Sequence, residues 1–171
     1  MKVLRLLAVV LPAFTLSITS ARAQETASAT ATATIITPIS ITKDVDMNFG
    51  NVAVQSTTGG TVVLTPGGVR TVTGGVTLPS TATGTVTAAA FTVNGTGNYS
   101  YSISLPSAAV SITSGSNTMT VSGFVSTPSG VGQLSSGTQA LHVGATLNVS
   151  AAQPAGTYVS GTPFDVTVNY N

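Results

Sequence analysis

The stretch Leu141-His142-Val143-Gly144-Ala145-Thr146-Leu147-Asn148-Val149 places an aliphatic side chain at every odd position and a small or polar one at every even position. Only an extended backbone sends successive side chains to opposite faces, so this period of two predicts a β-strand with one face in a core. The same period governs most of the chain. Tyr99, Tyr101, Ile103 and Leu105 share a face opposite Ser100, Ser102 and Ser104, and Pro106 ends the run. Val110 goes with Ile112, Met119 with Val121, and Phe91 with Val93 in an expected strand from Thr83 to Val93. Phe49 to Val54 and Thr61 to Leu64 are short candidates, and Val69 to Leu78 carries Gly74-Gly75 near its centre, which predicts a hairpin turn or a bulge. Phe164, Val166, Val168 and Tyr170 alternate with Asp165, Thr167 and Asn169 as a last strand. Beyond residue 23 no window of helical length shows apolar residues at the three-four spacing of a helix.

Roughly nine or ten strands punctuated by Gly, Pro, Ser and Asn predict an all-β, two-sheet sandwich of immunoglobulin-like or Greek-key type, with a closed barrel as the second choice. Aromatic residues are 5% of the chain and form no girdles, which argues against an outer-membrane barrel.

The opening residues have another purpose. Lys2 and Arg5 precede an apolar run from Leu6 to Ile18, and Ala21-Arg22-Ala23 offers the small-x-small pattern of signal-peptidase cleavage. Residues 1–23 are therefore expected to be a signal peptide. The run is shorter than the roughly 20 residues needed to span a bilayer and is interrupted by Pro12, and no later segment approaches a transmembrane helix. Removing 23 of 171 residues leaves 148, enough for one domain with a proper core. The expected organisation is an extended N-terminal strand at 24–37 and a β-sandwich at 38–171. The destination is the periplasm, in transit to a cell surface or the extracellular space.

Processing also reverses the charge. Lys2, Arg5 and Arg22 leave with the leader, so Lys43 and Arg70 face Glu25, Asp44, Asp46 and Asp165, for a net charge of −2. Two cations make no basic stripe for phosphates, and nucleic acid is excluded as a partner. Charged residues are 5% of the chain, against about 25% in ordinary soluble domains. Ser, Thr and Asn supply the hydrophilic faces instead, which suits dense packing of subunits or a surface location. Cysteine is absent, so no disulfide supports the exported fold. Edge strands are usually blunted by Lys, Pro or bulges, and this chain has little to blunt them with. An exporting cell is expected to shield it with a chaperone or to assemble it quickly.

Ala27 to Ile35 reads A-S-A-T-A-T-A-T-I, a strict alternation of small apolar and hydroxyl residues. Ala27, Ala29, Ala31, Ala33 and Ile35 form one face of an extended segment that can join its own sheet or that of a neighbouring subunit. Burying four methyls at roughly 0.8 kcal/mol each and one isoleucine at about 2 to 3 gives some 5 to 6 kcal/mol before entropy is charged. Ladder hydrogen bonds of about 1 kcal/mol each would have to add to this.

Sites of chemistry are sparse. Asp44-Val45-Asp46-Met47-Asn48-Phe49-Gly50 resembles the opening of a calcium loop, but its glycine falls one place late and Gln55 stands where the bidentate glutamate belongs. A polar strand face or turn is the better reading. His142 is the lone histidine and lies on the even face of its strand, away from the core. No nucleophile elbow surrounds any serine. No catalytic, cofactor-binding or metal site is expected, and the chain is read as non-enzymatic.

The sequence resembles a bacterial family catalogued as domain of unknown function 4402, whose members look like secreted, pilin-related β-sandwiches. The resemblance rests on A-T-A-T-A-T-I-I-T-P-I-S-I-T, on D-M-N-F-G-N at Asp46 to Asn51, and on G-T-Y at Gly156 to Tyr158 leading into F-D-V-T-V-N-Y. It covers essentially the whole mature chain. It implies a fimbrial or pilus-like subunit in which the N-terminal extension of one copy completes the sandwich of the next. On that likeness Ala27, Ala29, Ala31, Ala33 and Ile35 form a polymerisation donor strand. Phe164, Val166, Val168 and Tyr170 form a C-terminal core strand recognised by a chaperone, with Tyr170 next to last. Self-association into a polymer, a periplasmic chaperone and an outer-membrane usher are the implied partners. The alternative is a monomeric surface adhesin or glycan-binding module.

Overall fold

A computed structural model describes residues 23–171 and contains fifteen strands. In chain order they are β1 (Ser40–Val45), β2 (Asn48–Phe49), β3 (Ala53–Val54), β4 (Gly60–Leu64), β5 (Arg70–Gly74), β6 (Val76–Thr77), β7 (Val86–Thr87) and β8 (Ala89–Asn94). They continue with β9 (Ser100–Ser104), β10 (Val110–Ser114), β11 (Asn117–Thr127), β12 (Val131–Gln133), β13 (Thr138–Val149), β14 (Val159–Ser160) and β15 (Thr167–Tyr170). All pairings are antiparallel. The leader read at residues 1–23 lies outside the described residues as far as position 22. The chain divides into a unit ending at Thr34 and a sandwich unit of Ile35–Asn171.

The sandwich is built on β13. Its first half pairs with β8, from Thr138 opposite Asn94 to Val143 opposite Ala89, and its second half pairs with β4, from Ala145 opposite Leu64 to Val149 opposite Gly60. Its other edge pairs with β11. The principal sheet therefore runs β1-β8-β13-β11-β10-β14, with β4 and β5 branching from the second half of β13. The second layer contains β12-β9-β15, with two short pairs, β2-β7 and β3-β6.

Two apolar clusters follow from this branching. Around the first half of β13, Leu141 and Val143 pack with Ala89, Phe91, Val93, Tyr101, Ile103, Leu134 and Val168. Around the second half, Ala145, Leu147 and Val149 pack with Val62, Val76 and Val121. Met47 and Phe124 pack against both clusters. Every odd residue from Leu141 to Val149 is buried, as the alternation required.

Four strand boundaries differ from the sequence reading, each for a physical reason. The candidate Phe49 to Val54 is two short strands, because β2 pairs with β7 whereas β3 pairs with β6. The stretch from Thr83 to Val93 is split at Ala88, because β7 pairs with β2 whereas β8 pairs with β1 and β13. Gly74-Gly75 makes a corner instead of a hairpin: β5 pairs with β4, and β6 crosses to β3. Gly74 has φ +66°, and a Cβ there would meet the backbone of Gly59. The last strand begins at Thr167, not Phe164. Continuing its register against β9 would set Asp165 opposite Pro106, which has no N–H to give, so the ladder opens there. Phe164 and Val166 still pack against the first cluster, with the Phe164 ring 4.9 Å from that of Phe124.

Leu141→Ala, in the middle of the first cluster, should cost about 2–5 kcal/mol in a denaturant titration, from lost transfer energy plus the cavity left behind. Tyr101 is fully buried and its Oη donates to Gln139 Oε1 at 2.7 Å. Burial pushes its phenol above the ordinary tyrosine value. The folded state thus keeps a proton that the unfolded chain releases near pH 10, so stability should be level below about pH 9 and decline as the pH rises past about 10. Urea midpoints measured across that range check this, and Tyr101→Phe should shrink the decline.

Candidate functional site: the N-terminal arm and the β15 edge

The alternating segment Ala27 to Ile35 carries no strand ladder in the structure, and its side chains are exposed, Ile35 at 96%. Alternation prepares an extended segment for pairing, but a strand exists only when another backbone supplies the partner. The root of the arm is held firmly in the sandwich unit. Tyr170 Oη donates to the Thr37 carbonyl at 2.9 Å and accepts the Thr96 N–H at 2.6 Å. The Thr37 N–H in turn donates to Thr96 Oγ1 at 2.8 Å. Tyr99 packs edge-on against the Tyr170 ring, with centroids 5.7 Å apart. Gly95 is needed at the bottom of this knot, since a Cβ there would strike the Tyr170 hydroxyl.

β15 itself pairs with β9 along one edge, from Thr167 opposite Ser104 to Tyr170 opposite Tyr101. The Asn171 N–H donates to the Ser100 carbonyl. By the alternation of an antiparallel ladder, the N–H and C=O groups of Val168 and Tyr170 then point to the opposite edge, which has no ladder partner among the described residues. The side chain of Val168 is 8% exposed and points into the core.

The other edges of the two larger sheets are guarded. β1 carries Lys43, paired with Asp46 at 2.7 Å, and its register shifts between Lys43 and Val45. β5 begins at Arg70, whose guanidinium donates to the carbonyls of Phe49 and Asn51, and ends at the positive-φ Gly74. On β12 the outward N–H of Gln133 is taken by Gln139 Oε1 at 3.0 Å. β14 has two residues. Charge, irregularity, capping and brevity are the devices that keep sheet edges from pairing with other chains. β15 contains no charged residue, proline or bulge.

The calcium-like stretch is not assembled as a cation site. The Lys43 ammonium takes Asp46, the Thr92 hydroxyl donates to Asp44 Oδ2, and Asn48 Oδ1 accepts the Gly50 N–H. His142 is exposed on β13, opposite Ala90 and Thr127. Among the described residues there is no group of three or more His, Cys, Asp or Glu side chains placed to hold a metal. A shallow cavity of about 400 Å³ lies where the β9–β15 ladder opens, lined by Leu105, Pro106, Ala108, Phe164 and Asp165 among others. It brings one carboxylate and no histidine to that place.

These features define a class: an antiparallel β-sandwich with an exposed alternating arm at one end of the chain and an open edge on its last strand. The family model described as Domain of unknown function (DUF4402) matches residues 39–170, and the chain belongs to that family. No curated protein and no solved structure matches it.

Thr37, Gly95 and Thr96 were not legible as part of a site. Thr37 lies 59 residues from Thr96, and no periodicity links a turn threonine to the residue before Pro38. Tyr170→Phe should remove both hydroxyl bonds while keeping the ring in place. The expected result is faster hydrogen exchange at the Thr96 amide and faster proteolysis after residue 35, at a stability cost of about 1–2 kcal/mol.

Proposed function

We propose that this chain is a secreted, non-enzymatic structural subunit of a fimbrial or pilus-like polymer, in which the N-terminal arm of one copy adds as a strand to the sandwich of the next. The observation that supports this best is that one chain carries both halves of a β-strand contact. Residues 27–35 alternate without a ladder of their own, and β15 has an unguarded edge. Strand addition draws affinity from backbone hydrogen bonds and register from the alternate side chains. The nearly uncharged surface fits this role, because neighbouring subunits then pack with little charge to desolvate.

Such an edge is sticky until filled. A periplasmic chaperone that covers β15 during export and an outer-membrane usher that exchanges it for an arm are the partners this reading implies. The route is through the periplasm to the cell surface.

Sedimentation of the mature chain, Gln24–Asn171, against a version lacking residues 24–34 tests the proposal. A ladder of oligomers that vanishes on truncation is the expected outcome. Two equally compact, equally heat-stable monomers would defeat the polymer reading and leave a monomeric adhesin or glycan-binding module in its place.

A further inference from the structure

The open edge of β15 adjoins a core that is already full. Without any added strand, Val168 is 8% and Ile103 9% exposed, and Val93, Leu141 and Val143 are fully buried. The large apolar side chains that stand exposed on the sandwich strands lie elsewhere: Val45 on β1, Val125 on β11, Val131 on β12 and Val159 on β14. The two layers also close together beside β15. β1 and β15 come within 8 Å of each other between Cα atoms while sharing no ladder. A strand lodged between them at ordinary spacing to both would need about 9.5 Å. An incoming strand that uses the backbone groups of Val168 and Tyr170 therefore cannot sit between β1 and β15 as a ladder partner of both, and it finds no void for bulky inward side chains.

Alanine meets that requirement. Extended, the arm sends Ala27, Ala29, Ala31 and Ala33 to one side and Ser28, Thr30, Thr32 and Thr34 to the other. Methyl groups can face the closed core while hydroxyls face water. The arm spans nine residues, so it has length to spare over the open stretch from Phe164 to Tyr170. Polarity points to the arm of another copy. The molecule's own arm is held at Thr37 beside Tyr170, so folding back along β15 would make it run parallel to that strand. A second copy's arm is under no such restraint and can run antiparallel, the better-paired arrangement.

We propose that the outer edge of β15 is a methyl-sized slot that takes the alanine face of a second copy's arm, held by backbone hydrogen bonds and not by filling of a groove. This rests on the reading of the arm as a donor strand and specifies what the acceptor tolerates. The four alanines are then a fit to the acceptor, and the contact is a reversible one.

The test is sedimentation of the mature chain carrying Ala29→Leu and Ala31→Leu together, beside the unaltered chain and the version lacking residues 24–34. Both substituted positions are exposed, and circular dichroism checks that the sandwich is unchanged. A methyl-sized slot predicts that the leucine variant associates more weakly by roughly tenfold or more, the penalty of overpacking a closed site. If the leucine variant associates as tightly as the unaltered chain, or more tightly, a groove is being filled and the slot is wrong while the donor reading survives. If the unaltered chain and the truncated one are both monomers, the donor reading fails and the slot falls with it.

Discussion

The whole structure hangs on the fact that one strand, β13, buries its inward face from Leu141 to Val149 and is shared by three neighbours. Its inward residues Leu141, Val143, Ala145, Leu147 and Val149 supply members of both apolar clusters. Its edges bond β8 and β4 in succession on one side and β11 on the other. Gly144 marks the change of partner, because a Cβ there would run into the backbone of Leu64 and Thr65. A polar residue at any of the five inward positions would set an unpaired group against a dry interior, and a shift of one residue would turn the whole set outward.

With five charged residues in a hundred and no cysteine, the chain controls its edges by placement more than by number. Lys43 and Arg70 are the Lys and Arg side chains among the described residues, and each stands on an edge strand. Gln139 does for β12 what a charge does for the others. Against that background the bareness of β15 is notable, since the same chain shows several ways to protect an edge. The chemistry available at that edge is backbone pairing, which is also the chemistry the arm offers.

How much of this was legible beforehand depended on the range of the forces involved. Period-two alternation identified the all-β class, the inward face of β13 and the burial of Phe91, Val93, Tyr101 and Ile103, because these follow from the geometry of a single extended chain. Exposure of His142 and the scattered engagement of Asp44, Asp46 and Asn48 also agreed with the plain readings of those residues. Where one strand hands over to another sheet, at Ala88 or Gly74-Gly75, local pattern continues unbroken while the partner changes, so the sequence showed one long element or a hairpin. The knot of Thr37, Thr96 and Tyr170 was invisible for a stronger reason. It joins positions 59 and 133 residues apart through hydroxyls, and hydroxyls occur at about one position in three of this chain.

That knot has a mechanical side. Thr37 is tied to the turn between β8 and β9 and to the final strand, and β1 follows it with five register pairs to β8. Tension applied through the arm thus enters near both chain ends together and loads β1 lengthwise against β8, so that several bonds must slide at once instead of peeling one by one. A domain wired in this way carries a pull along its rim and spares its interior.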